Sequence, residues 1–383
     1  MKSVRFGDLC KLQNGRAFKP EEWSEEGTPI VRIQNLNDQT KSFNYCNFDV
    51  DKRFWIDSGD LLFSWSGTPG TSFGAFFWNR GKGFLNQHIF RVDVKEELVD
   101  KHYLRYALNS LIVQIIDQAH GGVGLKHITK GKLEEVQIPL PPLTEQRRIA
   151  SILDKADELR QKRQQAIEKL DQLLQATFID MFGDPVSNPK GWDIGCIGDM
   201  LESVKYGSSD KATLEGEIPI LRMNNLTYSG EMNLTDLKYI TKVQADEKYL
   251  VKEGDILFNR TNSKELVGKT AVYVGPEPMA YAGYLVRGRT KGSFASEYIS
   301  AFLNSPWGKE KLQSMCKSIV GMANINAKEF QSIILPIPPE NEQMHFKTRV
   351  LAIREKKQLL ANQLNVFESL FKSLQNQAFN GNL

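Results

Sequence analysis

The chain has 383 residues, 41% hydrophobic and 25% charged, with 49 Lys and Arg against 46 Asp and Glu. That balance fits a folded protein of two or three domains and excludes a disordered, collagen-like or purely coiled-coil chain. A net charge of +3 permits a polyanionic partner only through a local basic surface. No apolar run approaches the ~20 residues that span a bilayer, and no signal-like stretch opens the sequence. Cys10, Cys46, Cys196 and Cys316 stand apart without a CxxC pair, and the five histidines are scattered, so neither a disulfide framework nor a zinc knuckle is indicated. A cytoplasmic protein without a bound metal or membrane contact is expected.

In chain order, residues 1–143 read as an α+β globule of short β-branched and aromatic runs between Gly, Asn and Ser turns. Leu61-Leu62-Phe63-Ser64-Trp65 reads as a strand, and residues 101–118 as one short helix. Residues 144–182 read as a single long helix after Pro141-Pro142, with Thr144 as N-cap and Glu145 in its first turn. It lacks glycine and proline, so about 38 residues can run unbroken for ~57 Å. Phe182-Gly183-Asp184-Pro185 ends it, and residues 183–192 form a linker. Residues 193–340 read as a second α+β globule, with a strand at Thr270-Ala271-Val272-Tyr273-Val274 and a helix over residues 295–315 that Pro306 divides or bounds. Residues 341–383 form a second long helix, with Asn341 as N-cap.

The second half repeats the first. Ile138-Pro139-Leu140-Pro141-Pro142-Leu143-Thr144-Glu145-Gln146 returns as Leu335-Pro336-Ile337-Pro338-Pro339-Glu340-Asn341-Glu342-Gln343. Gly59-Asp60-Leu61-Leu62-Phe63 returns as Gly254-Asp255-Ile256-Leu257-Phe258, and Tyr103 with Leu108-Asn109-Ser110 as Tyr298 with Leu303-Asn304-Ser305. Gly7-Asp8 returns as Gly198-Asp199, Arg32 with Asn35-Leu36 as Arg222 with Asn225-Leu226, and Val123-Gly124 with Ile128 as Val320-Gly321 with Ile325. The order is kept throughout, as a duplicated module requires.

Both long helices carry heptad stripes. Ile149, Ala156, Leu170 and Thr177 run beside Ile152, Leu159, Ala166 and Leu173 in the first. Phe346, Ile353, Leu360, Phe367 and Leu374 run beside Val350, Leu364, Phe371 and Ala378 in the second. Arg160 and Lys357 interrupt the two seams at matching places. Stripes matched in length and register favour an antiparallel coiled coil, with a globule at each end, over helices that each lie along their own globule. Leu153, Ile167 and Leu174 widen the stripe and leave apolar area for a partner, so the isolated chain is expected to be sticky.

No P-loop, GxSxG elbow, HExxH helix or amino-methyltransferase motif is present, and Gly122-Val123-Gly124 fails the dinucleotide fingerprint at its third glycine. The polar loops Ser64-Trp65-Ser66-Gly67-Thr68, Asn259-Arg260-Thr261-Asn262-Ser263-Lys264 and Gly121-Gly122-Val123-Gly124-Leu125-Lys126-His127 instead suit base-edge contacts on DNA.

The duplicated Pro-x-Pro-Pro…Glu-Gln run, the Gly-Asp-hydrophobic-hydrophobic-Phe strand and the Phe-Gly-Asp-Pro exit resemble the specificity (S) subunit of type I restriction–modification systems, across essentially the whole chain. Glu340 departs from Leu143 within the motif. The resemblance implies two target recognition domains that read the halves of a bipartite, asymmetric sequence on double-stranded DNA, and helices that pair antiparallel. It implies a subunit without catalytic residues or bound cofactors. Two modification subunits would carry S-adenosylmethionine, and restriction subunits would use ATP and Mg. The expected DNA contacts are Lys126, Asn259, Arg260 and Lys264, then Ser64, Ser66, Arg32 and Arg222; the last two also fit a structural repeat. Glu145, Gln146, Arg147, Arg148, Glu342 and Gln343 are expected at the modification-subunit surface. The alternatives are a detached module of a single-chain restriction–methyltransferase, disfavoured by the start at Met1 and the finished second helix, and a coiled-coil adaptor that never touches DNA.

Overall fold

The computed structural model describes residues 2–68, 71–121, 126–319 and 322–383, apart from the side chains of residues 317–319. The repeated Val123-Gly124 and Val320-Gly321 pairs, and most of the Gly121–His127 loop, lie outside the described residues. The chain divides into two compact units, Met1–Arg163 with Gln363–Leu383, and Gln164–Asn362. Each therefore holds a globule together with portions of both long helices.

Within the first unit a four-stranded antiparallel sheet runs Cys10–Asn14, Ile89–Val94, Leu61–Ser64, Gly74–Phe77. The second unit repeats that order with Leu201–Tyr206, Leu285–Thr290, Ile256–Asn259 and Thr270–Val272. A smaller sheet in each contains a parallel pair, Thr28–Val31 with Gly83–Leu85 and Ile218–Leu221 with Ala280–Tyr281. The duplication seen in sequence is thus a duplication of topology.

The repeated motifs are the joints of this scaffold. Gly59 and Gly254 turn with φ of 94° and 87°, a region that costs glycine nothing. The aspartate that follows closes the turn: Asp60 accepts from the Asp57 N–H and Asp255 from the Lys252 N–H, both at 2.8 Å. Tyr103 and Tyr298 each donate to the carbonyl of the last residue of a strand, Pro139 and Pro336, at 2.7 Å. Asn109 holds both backbone groups of Ala75 (2.8 and 2.9 Å), and Asn304 the carbonyl of Thr270 (2.8 Å). Each such side chain satisfies a backbone group that burial would otherwise strand.

The short helix expected over residues 101–118 is two, Lys101–Ser110 and Ile112–Asp117, broken at Leu111. Its repeat breaks where Pro306 stands, into Ser296–Asn304 and Pro306–Met315, with Ser305 capping the second piece. The long helices span Leu143–Phe182 and Glu340–Phe379. They begin ahead of Thr144 and Asn341, which lie inside the first turn rather than at the cap, because the ladders already start on the Pro142 and Pro339 carbonyls.

In the first unit Ile149, Ala150, Leu153 and Ala156 of the first long helix share a core with Tyr103, Tyr106, Phe371 and Ala378. Arg160 lies over the Phe371 ring and Arg148 donates to the Leu383 carbonyl, so the two helix segments are antiparallel there. In the second unit Phe178 and Phe182 pack on Tyr298 and Phe346, and Lys357 meets Asp171 at 2.5 Å, again antiparallel. Pairing with the other helix and packing on the globule occur together, so the apolar stripe serves both. Leu159 and Leu173, expected in the seam, are consequently left exposed.

Candidate nucleic-acid interface

The central strands Leu61–Ser64 and Ile256–Asn259 are buried along their length and end in polar residues. Beyond them the chain forms Ser66–Gly67, paired with Lys126–His127, and Thr261–Asn262, paired with Met322–Asn324. Ser64, Trp65 and Ser66 thus correspond to Asn259, Arg260 and Thr261 at the ends of equivalent strands.

Ser64 and Asn259 are both 0% exposed. They cannot touch a base edge from there, which removes two of the expected contacts. Ser64 Oγ and Asn259 Nδ2 nevertheless find no hydrogen-bond partner among the described residues. The same holds for Trp65 Nε1, Gln87 Oε1 and His88 Nδ1 in the first unit, and for the Nε atoms of Arg260 and Arg222 in the second. Buried polar groups are nearly always paired, so such a concentration needs a reason.

In the first unit the Trp65 ring lies 5.5 Å from His88 and stacks on Phe90 at 5.6 Å. Ser66 and Lys126 sit on the adjoining two-stranded ribbon, both half-buried. Arg32 approaches from the smaller sheet, hydrogen-bonded to Asn44 (3.0 Å) and 5.4 Å from the Trp23 ring. Burial, and then the Arg32 charge, hold the His88 imidazole below its ordinary pKa. Its protonation is therefore disfavoured in the folded state, while the unfolded chain takes up the proton near pH 6.5. Stability should fall as pH drops through that value, and His88→Gln should flatten the fall. Thermal melts of parent and variant between pH 7.5 and 5.5 test this; parallel curves would refute it.

In the second unit Arg260 lies 4.9 Å from the Tyr206 ring and reaches the Gly283 carbonyl at 3.4 Å, beside exposed Tyr284. Lys264 is exposed in the turn after Thr261–Asn262. Arg222 is committed to Asp236, with a 2.8 Å ion pair and a bond to its carbonyl. The repeat around it is structural: Asn35 and Asn225 are buried, each accepting from the backbone N–H of Arg32 or Arg222 and donating to two carbonyls of the following loop. Sequence reading placed Trp65 in a base-contact loop without singling it out, and left out Gln87, His88, Tyr206 and Tyr284. The register of the repeat, which sets Trp65 opposite Arg260, was the signal that could have found the first.

At the helix starts, Gln146 and Gln343 are buried and fully used, which withdraws them from any partner surface. Gln146 accepts from the Asp100 N–H (2.8 Å) and donates to the Pro141 carbonyl (2.8 Å); Gln343 does the same with Ala295 (3.1 Å) and Pro338 (2.8 Å). Arg147 stays exposed, Arg148 pairs with Glu145 at 2.7 Å, and Glu342 is half-buried. Among the described residues no group of three or more His, Cys, Asp or Glu could hold a metal, and no helix is long and apolar enough to cross a membrane.

A family model described as "Type I restriction modification DNA specificity domain" matches residues 1–169 and again 189–377. The type I restriction enzyme EcoBI specificity subunit of Escherichia coli is 22% identical, over 99% of this chain and 85% of its own length. The EcoKI specificity subunit of Escherichia coli K12 is 24% identical, over 75% of this chain and 67% of its own. Among solved structures, the S subunit of a type I restriction–modification system from M. genitalium superposes with a TM-score of 0.62 at 15% identity, covering 99% of this chain and 96% of that one.

Proposed function

The chain belongs to the family of type I restriction–modification DNA specificity domains, two of which it carries in tandem, and from that premise we propose that each compact unit reads one half of a bipartite, asymmetric DNA target. The observation that carries the reading is the coincidence, at equivalent strand ends, of unsatisfied polar groups with different side chains: Ser64, Trp65 and His88 in one unit, Asn259 and Arg260 in the other. Trp65 and Arg260 do the reading, with Ser66, Lys126, Arg32 and Lys264 around them; buried Ser64 and Asn259 position the residues that follow. A guanidinium can grip the O6 and N7 of guanine as a fork, whereas an indole offers one donor and a large apolar face. The half-sites therefore differ.

Methyl transfer and cleavage reside in partner subunits. Modification subunits carrying S-adenosylmethionine dock on the long helices around Glu145, Arg147, Arg148 and Glu342, and restriction subunits supply ATP- and Mg-dependent cutting. Exposed Leu159, Leu173, Leu359 and Val366 give such docking an apolar component.

Arg260→Ala should cost about 1–3 kcal/mol on the cognate site and relax preference at one position of one half-site. Trp65→Ala should act on the other half-site alone. Methylation profiling of DNA from cells expressing each variant with its partner subunits reads this directly. Uniform weakening on all sequences would move the residue to a phosphate contact, and an unchanged motif with either variant would remove it from the interface.

A further inference from the structure

The two units diverge where the short helix of each globule meets the long helices. In the first, Tyr106 is buried, its ring 5.9 Å from Phe371 and its hydroxyl donating to the Asp154 carboxylate at 2.8 Å. The Arg105 guanidinium covers that ring at 4.2 Å and also reaches Asp154 at 3.3 Å. In the register fixed by Tyr103 and Tyr298, Arg105 and Tyr106 correspond to Ser300 and Ala301. An aromatic ring and a guanidinium have become a hydroxymethyl and a methyl.

The second unit has a cavity of about 250 Å³ at this place, lined by Phe178, Ile179, Ala301, Trp307, Glu297 and Arg354 among others. Only 3% of Glu297 is exposed, and its Oε2 accepts no hydrogen bond from the described residues. Arg354 Nη1 is likewise buried without a hydrogen-bond partner among them, 3.9 Å from the Glu297 carboxylate. A carboxylate and a guanidinium taken from water and left short of hydrogen bonds are costly, and here both border the same space. Apolar walls with a few convergent polar groups are the usual make-up of a small-molecule site.

We propose that this cavity binds a small phenol-class aromatic molecule, a ring bearing one hydroxyl. The first unit supplies the template, since the Tyr106 side chain is such a group held in the corresponding place. In the second unit the acceptor has moved from the long helix, where Leu351 replaces Asp154, to Glu297 on the globule. A hydroxyl lying between Glu297 and Arg354 donates to the one and accepts from the other, while the ring meets Phe178, Ile179 and Trp307. The inference concerns the second unit alone and does not depend on how DNA is read.

The test uses the full chain, with p-cresol, anisole and toluene as probes, followed by saturation-transfer NMR and calorimetry. p-Cresol should bind and raise the melting temperature. Anisole, which cannot donate, and toluene should each bind about tenfold more weakly, the loss of roughly one hydrogen bond to a charged group. Ala301→Tyr, which restores the side chain of the first unit, should stay folded and abolish binding; Ala301→Leu, a smaller filler, should weaken it. Equal binding of all three probes, p-cresol binding that survives in both folded variants, or none to the parent at millimolar concentration would each overturn the proposal.

Discussion

Asp255→Ala should destabilise the second unit by about 3–5 kcal/mol, several times the effect of the equivalent Asp60→Ala. Asp255 is buried and receives Arg289 through two bonds of 2.7 Å, with Arg287, itself 3% exposed, at 3.9 Å. Taking away the carboxylate leaves a buried guanidinium without its counter-charge, and that loss dominates the lost turn. Asp60 makes the same turn bond but is only half-buried, and its variant should cost about 1 kcal/mol. Denaturant titration of both variants checks the contrast; equal losses would show that the turn, not the ion pair, is what matters.

A paired insertion should move the spacing between half-sites. We propose that the long helices fix this gap, so adding seven residues to each, after Arg163 and after Asn362, lengthens them by about 10 Å. At ~3.4 Å per base pair the preferred gap should grow by about three, with both half-sites unchanged and methylation at the parental gap falling at least about tenfold. A whole heptad preserves the seam, and the division between the compact units falls at these points. An insertion after Ala176 would instead drive Phe178 and Phe182 off Tyr298 and Phe346. Methylation of a library of gap lengths decides: a preference that stays at the parental gap would refute this role of the helices, and tolerance of every gap would point to a flexible link.

What sequence could disclose follows from what the repeat preserves. Residues that recur are those the fold needs twice: the turn glycine and aspartate, the Tyr–carbonyl clasp, the Asn latch and the Gln clamp. They gave away the duplicated topology and the long helices. The same logic misdirected the partner surface, because a Glu-Gln pair in a first helical turn looks solvated until Gln146 and Gln343 are seen closing backbone groups of a neighbouring helix. Reading residues must differ between the halves, so repetition is silent about them. Arg260 is a loop cation that sequence alone nominates, whereas Trp65 stands out only once the scaffold sets it opposite Arg260. His88 needed the neighbouring strand, and the cavity by Glu297 needed four separate stretches of chain.

The division of each long helix between the compact units has a consequence for the order in which the protein is made. The second unit is one uninterrupted stretch, Gln164–Asn362, whereas the first lacks Gln363–Leu383 until translation has passed the whole of the second unit. Phe371, Ala378 and Phe379, which seal Tyr103 and Tyr106, are made only after the second unit. The amino-terminal half is thus the later to mature, and through most of synthesis it exposes an open apolar seat. A nascent chain of this design invites chaperones, or an early-arriving partner, to its first unit rather than its second. A stop codon near residue 362 would spare the second unit and cripple the first.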